Sequence, residues 1–172
     1  MSTLLHLDND MVERMEGDLA QKCAAAFASA SIQAGVYGVF SLDDLEKKTE
    51  SDLCGGIAIG VGYMGCEPTN LDTHPKAQLN VGRGVAVKML DFMFVVVLAV
   101  PSGSDCTERY DATKLLTVLR RNIMGSTVDG DAVERTWAFV KEAPDIAAST
   151  KSMLYYSQVW RVALSQVGNL TS

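Results

Sequence analysis

Apolar residues recur at helical intervals near the start of the chain, at Met11, Val12, Met15, Leu19, Cys23 and Phe27. Asp10 with Glu13 three residues on has capping-box spacing, so the pattern predicts a first helix opening at Asp10. Its alanine-rich end, CAAAFASAS, permits close packing, and Gly35 is the expected stop. Residues 36–40 (VYGVF) read as a short strand. Ser41 and Asp44 then open a short, highly charged helix, SLDDLEKKTESD, whose apolar stripe is only Leu42 and Leu45. A β-run over 54–63 follows, then a loop punctuated by Pro68 and Pro75.

The stretch VAVKMLDFMFVVVLAV is dominated by β-branched and aromatic residues, interrupted only by Lys88 and Asp91. It reads as one long strand or two paired ones. The apolar run at 92–100 requires cover on both faces, or one face on the core and one on another subunit. A turn at 101–105 leads to a third helix with Leu115, Leu116, Val118, Leu119, Ile123 and Met124 apolar, Arg120 and Arg121 in its last turns, and Gly125 as its C-cap. Residues 133–140 read as a strand and 141–152 as a loop. The last strand, 154–164, alternates, with Tyr156, Gln158 and Trp160 on one face and Tyr155, Val159 and Arg161 on the other. Strands come in adjacent runs, so the fold class is α+β: a mainly antiparallel sheet with helices packed on one face. The expectation is one domain over 1–172, with extended loops near 64–82 and 141–152.

Composition narrows the functional classes. Apolar residues make up 48% and charged residues 21% of 172 positions, an ordinary globular mix. The net charge is −6 and no Lys/Arg-rich run occurs, which argues against a tight grip on nucleic-acid phosphates. An acidic surface would suit a passage that DNA traverses without sticking. The four cysteines, Cys23, Cys54, Cys66 and Cys106, form no C-x-x-C pair and read as free thiols. The first residues lack the basic region and apolar core of a signal peptide, and the longest apolar run is about half of the ~20 residues a membrane span needs. A soluble protein with no membrane partner is expected.

One stretch invites an enzyme reading. Gly60-Val-Gly62-Tyr-Met-Gly65 satisfies G-x-G-x-x-G after an apolar run, the letters of a dinucleotide fingerprint. A phosphate cradle also needs a helix opening at the third glycine, and here Pro68 and Pro75 follow instead. The glycines then serve close backbone packing, and a small nucleotide-binding enzyme is the alternative. Cys66 and His74 share a loop but are too few for a tetrahedral metal site. The acidic residues Asp43, Asp44, Glu46 and Glu50, beside Lys47 and Lys48, read as a solvated helix face. No catalytic residue, cofactor or metal is assigned. Surplus apolar strand surface is the strongest signal, and Phe92, Phe94, Val96, Tyr155 and Trp160 are the candidates for subunit contact.

The layout of an amphipathic N-terminal helix, the strand IAIGVGYMG, the long apolar strand DFMFVVVLAV, a helix ending LLTVLRRNIMG and two closing strands resembles the tail terminator proteins of long-tailed bacteriophages, the minor tail protein U-like group. The resemblance implies an α+β fold and a non-enzymatic virion protein. Such a protein forms a hexameric ring at the head-proximal end of the tail, stops tube polymerisation and meets the neck. Its implied partners are copies of itself, the tail tube protein and neck or connector proteins, with DNA passing through the ring. It would reside in the virion, and in the host cytoplasm during assembly. A neighbouring neck or head–tail completion protein is the related alternative.

Overall fold

The computed structural model describes residues 2–38, 47, 57–68, 85–101, 107–129, 135–146, 149 and 153–169. The order of elements is α1 (Ser2–Ser29), β1 (Gly35–Gly38), β2 (Ala58–Pro68), β3 (Val85–Pro101), α2 (Thr107–Ile123), β4 (Ala138–Asp145) and β5 (Met153–Asn169). The strands form one sheet in the order β1-β2-β3-β5-β4. β1 runs parallel to β2 and every other pair is antiparallel. This is an α+β fold with a mostly antiparallel sheet.

Periodicity decides which face the helices cover. Met15, Leu19, Cys23 and Phe27 from α1 and Leu115, Leu116, Leu119 and Ile123 from α2 are buried in one cluster. That cluster includes Ile59, Val61, Phe94, Val96, Leu98, Trp160 and Val162 from the sheet. These strand residues share a face because side chains alternate along a strand. The opposite face carries a smaller buried group, Ala58, Val97, Ala99 and Tyr155. The 92–100 run is therefore buried on the helix-covered face throughout, and on the opposite face at Val97 and Ala99, while Met93 and Val95 there are half-buried.

Several sequence expectations are corrected. α1 begins well before the Asp10–Glu13 box, which lies inside the helix. It ends before Gly35: Ser31 takes a left-handed φ of 57°, and Ile32 N–H reaches back to Phe27 C=O at 2.9 Å while Ser31 N–H reaches Ala28 C=O at 3.0 Å. This is a Schellman closure, and Phe27 and Ile32 both pack on the core. The loop expected near 64–82 is strand as far as Pro68, because the ladder with β3 continues past a bulge to Pro68↔Leu90. The strand expected at 133–140 lies at Ala138–Asp145 and takes up the start of the expected 141–152 loop. Pro144 is tolerated there because β4 pairs only with β5 in the described sheet. VAVKMLDFMFVVVLAV is one strand, and β5 matches it residue for residue over 17 positions, about 55 Å of ladder. Gly125 does close α2, at φ 79°. Of the charged helix expected at 41–52, only Lys47 is described, and it is helical. The rest of that segment lies outside the described residues.

Candidate functional site

The G-x-G-x-x-G stretch is strand throughout. Gly60 and Gly62 pair with Val97 and Val95 in the middle of β2, and Gly65 sits at φ 116° just past the bulged Met64. No helix opens at Gly65, so the N-terminal amides that a pyrophosphate would need are not supplied there. Gly65 supplies the left-handed backbone next to the bulge instead.

Among the described residues no group of three or more His, Cys, Asp and Glu could hold a metal. Cys66 is exposed on β2, and His74 lies outside the described residues. Cys23 is buried against the core, and burial pushes its thiol up to about 12. It behaves as a small hydrophobe.

Phe92, Phe94, Val96, Tyr155 and Trp160 all lie in the interior of the single chain. Side chains already removed from solvent have no area left to bury on association, so a contact surface must use other residues. The five candidates are covered within the same chain, whereas Met93 and Val95 on the face away from the helices are only half-buried.

Tyr63, Phe94, Trp160 and Phe139 form one row across β2, β3, β5 and β4. Tyr63 and Phe94 have ring centroids 5.4 Å apart, and Phe139 meets Trp160 edge-on at 5.5 Å. The Arg120 guanidinium caps the row, 5.6 Å from the Phe139 centroid. The two strands at the ends of this row bulge immediately beyond it, at Met64 in β2 and Val140 in β4. Both bulged residues are exposed, Met64 at 57% and Val140 at 41%, and Ile146 just past β4 is exposed at 80%.

These strands are also where the sheet is open. β1 pairs with β2 only from Ala58 to Val61, so β2 beyond Val61 has no outer partner among the described residues. β4 is the other edge.

Buried polar groups fix the helices against these edges. Asp18 accepts hydrogen bonds from Trp137 Nε1 at 2.7 Å and from the Asp129 amide at 3.1 Å, and its carboxylate meets Lys22 Nζ at 3.1 Å. This ties α1 to the turn after α2. On the β4 side, buried Gln158 donates through Nε2 to Leu116 C=O at 2.9 Å and to Glu142 Oε2 at 2.7 Å. Arg120 completes that group with a 3.2 Å ion pair to Glu142. On the opposite face, Arg161 pairs with buried Asp91 at 3.1 Å. Near the β2 edge, partial burial and then the neighbouring Glu13 raise the Glu16 carboxyl above its usual range, opposed by a hydrogen bond from the Tyr63 amide.

A break in alternation is the sequence signal for both bulges. In β2 the helix-facing positions are Ile59, Val61 and Tyr63, then Cys66; in β4 they are Phe139, then Glu142. The parity changes from odd to even in each.

No known protein family matches the sequence, and no curated protein matches it.

Proposed function

We propose that this protein is a structural component of a bacteriophage virion, a tail terminator that assembles into a ring, caps the tail tube at its head-proximal end and joins it to the neck. The observation that carries this reading is the exposure of Tyr63, Met64, Val140 and Ile146 along the two sides of the sheet that have no further strand partner among the described residues. A chain that self-associates laterally needs two such surfaces, whereas a monomer gains nothing from them. The net charge of −6 suits a lumen that DNA crosses without being held. The resemblance in element order supports the assignment of place, with a hexamer as the expected ring and the tube and neck proteins as partners.

Depleting the protein during infection tests the reading. A terminator's loss gives overlong tails. Tails of normal length left unjoined to heads would assign the protein to neck or head–tail completion instead, and normal infectious particles would reject both. Electron microscopy of the purified chain adds the direct observation of rings.

A further inference from the structure

We infer that the free edge of β5, from Val162 to Asn169, pairs antiparallel with the same stretch of a second copy of this chain, so that one sheet runs through a two-fold pair. The contact is separate from the ring-forming reading. A two-fold contact closes on itself, so it joins two copies, or two rings, without propagating.

The register leaves this edge open. β5 pairs with β3 along its whole length, from Pro101↔Met153 to Val85↔Asn169. On its other side β4 covers it only from Asp145↔Tyr155 to Ala138↔Arg161. β2 likewise leaves β3 at Pro68↔Leu90. Beyond these points β3 and β5 continue as a two-stranded ribbon, with no further strand beside it among the described residues. Two strands alone are marginal in water, and a third supplies what they lack.

Each of the other edges among the described residues carries a device that discourages strand addition. β1 is short, Gly35–Gly38. β2 has its bulge at Met64 and then Pro68, and its Tyr63 amide is taken by Glu16. β4 has its bulge at Val140 and then Pro144. The free part of β3 carries Lys88. Short, bulged, proline-bearing or charged edges resist pairing with a further strand. Residues 162–169 read VALSQVGN, with no charge, no proline and no break in the ladder to β3. In a chain that is 21% charged, this is an unguarded row of backbone donors and acceptors about 25 Å long.

The stretch suits pairing with itself. Having no charge, two copies of it meet without repulsion. A two-fold axis perpendicular to the sheet sets them antiparallel and keeps both helix-covered faces on one side. Each copy's β4 begins at Arg161, past the end of the other's free stretch, so neither β4 blocks the contact. A parallel arrangement would set the two β4 strands on the same ground. Pairing with the free part of another copy's β3 would run into that copy's β2 at Leu90. The antiparallel self-pair covers the stretch with neither obstruction.

Like charges placed at Ser165, midway along the stretch, test this on the full chain. Ser165→Lys and Ser165→Glu each bring two equal charges together near the two-fold axis. Each alone should sediment at half the wild-type mass at the same concentration, as a monomer in place of a dimer or a single ring in place of paired rings. Circular dichroism should be unchanged. Mixed in equal amounts the variants should regain the wild-type mass, because Lys then faces Glu, and that recovery also shows that both are folded. A mass that neither variant halves overturns the contact. Halving without recovery on mixing overturns it too, since a strand other than a second β5 would then occupy the edge. Single rings of wild type that never pair reject this contact and leave the ring-forming reading intact. Halving and recovery in a protein that forms no rings uphold the contact and reject that reading.

Discussion

The carboxylate of Asp18 and the indole Nε1 of Trp137, 119 residues apart in sequence, meet at 2.7 Å inside the protein. Asp18 also receives the Asp129 amide and the Lys22 ammonium, so one side chain closes α1 onto the turn after α2. Asp18→Ala leaves the indole and the amide without their acceptor, and should cost about 3 kcal/mol in chemical denaturation. Trp137→Phe, which removes the donor but keeps the 5.3 Å contact with Phe94, should cost less. Equal losses would mean that the ring, and not the hydrogen bond, holds the two elements.

Gln158 and Arg120 share Glu142 but differ in surroundings. Gln158 is fully buried, while Arg120 keeps more than a third of its side chain in solvent. Gln158→Ala should lower stability by about 2–3 kcal/mol, through lost packing and an unmade bond to Leu116 C=O. Arg120→Ala should cost about 1 kcal/mol or less. Urea unfolding of the two variants checks the order.

Ser31 holds a left-handed conformation that a side chain disfavours. Ser31→Gly should raise stability by roughly 0.5–1 kcal/mol, and Ser31→Val should lower it. Thermal unfolding gives the sign directly.

The raised Glu16 carboxyl makes a pH prediction. Its folded-state affinity for a proton exceeds the unfolded one, so ionisation opposes folding, and this group's contribution to stability falls as pH rises from its usual 4.5 through the folded value. Glu16→Gln should therefore be more stable than wild type near neutral pH, with the difference gone below 4.5. A gap that persists in acid would point to packing rather than charge.

Cys23 and Cys66 separate by accessibility. Exposed Cys66 should alkylate rapidly in the native protein, whereas Cys23, buried and with its thiol pushed up to about 12, should react only on unfolding. Site-resolved mass spectrometry of iodoacetamide-treated protein reads both.

Periodicity made much of the fold legible. The spacing of Leu19, Cys23 and Phe27 marks the face of α1, and alternation along 154–164 marks β5. Clustering of strands favours antiparallel pairing and gave no sign that β1 would pair in parallel. Boundaries were harder: Gly35 looks like the stop for α1, but Ser31 provides it by adopting a conformation that propensity disfavours. Pro68 and Pro144 suggest loops, yet each sits where an open edge tolerates a missing donor. Phe92, Phe94, Val96, Tyr155 and Trp160 show why composition misleads about contact. A strand apolar on both faces records only that both are covered, and pairing decides by what. The edge residues Met64 and Val140 are single bulged positions, visible in sequence only as a change of parity.

The bulges at Met64 and Val140 fall on opposite sides of the row from Tyr63 to Phe139. A bulge locally sharpens the right-handed twist of its strand, so β2 and β4 are turned relative to one another across the aromatic row. In an assembly built edge to edge, that turn sets the angle between one copy and the next, and the angle determines how many copies complete a circle. The number of subunits would be encoded in the pitch of a single sheet.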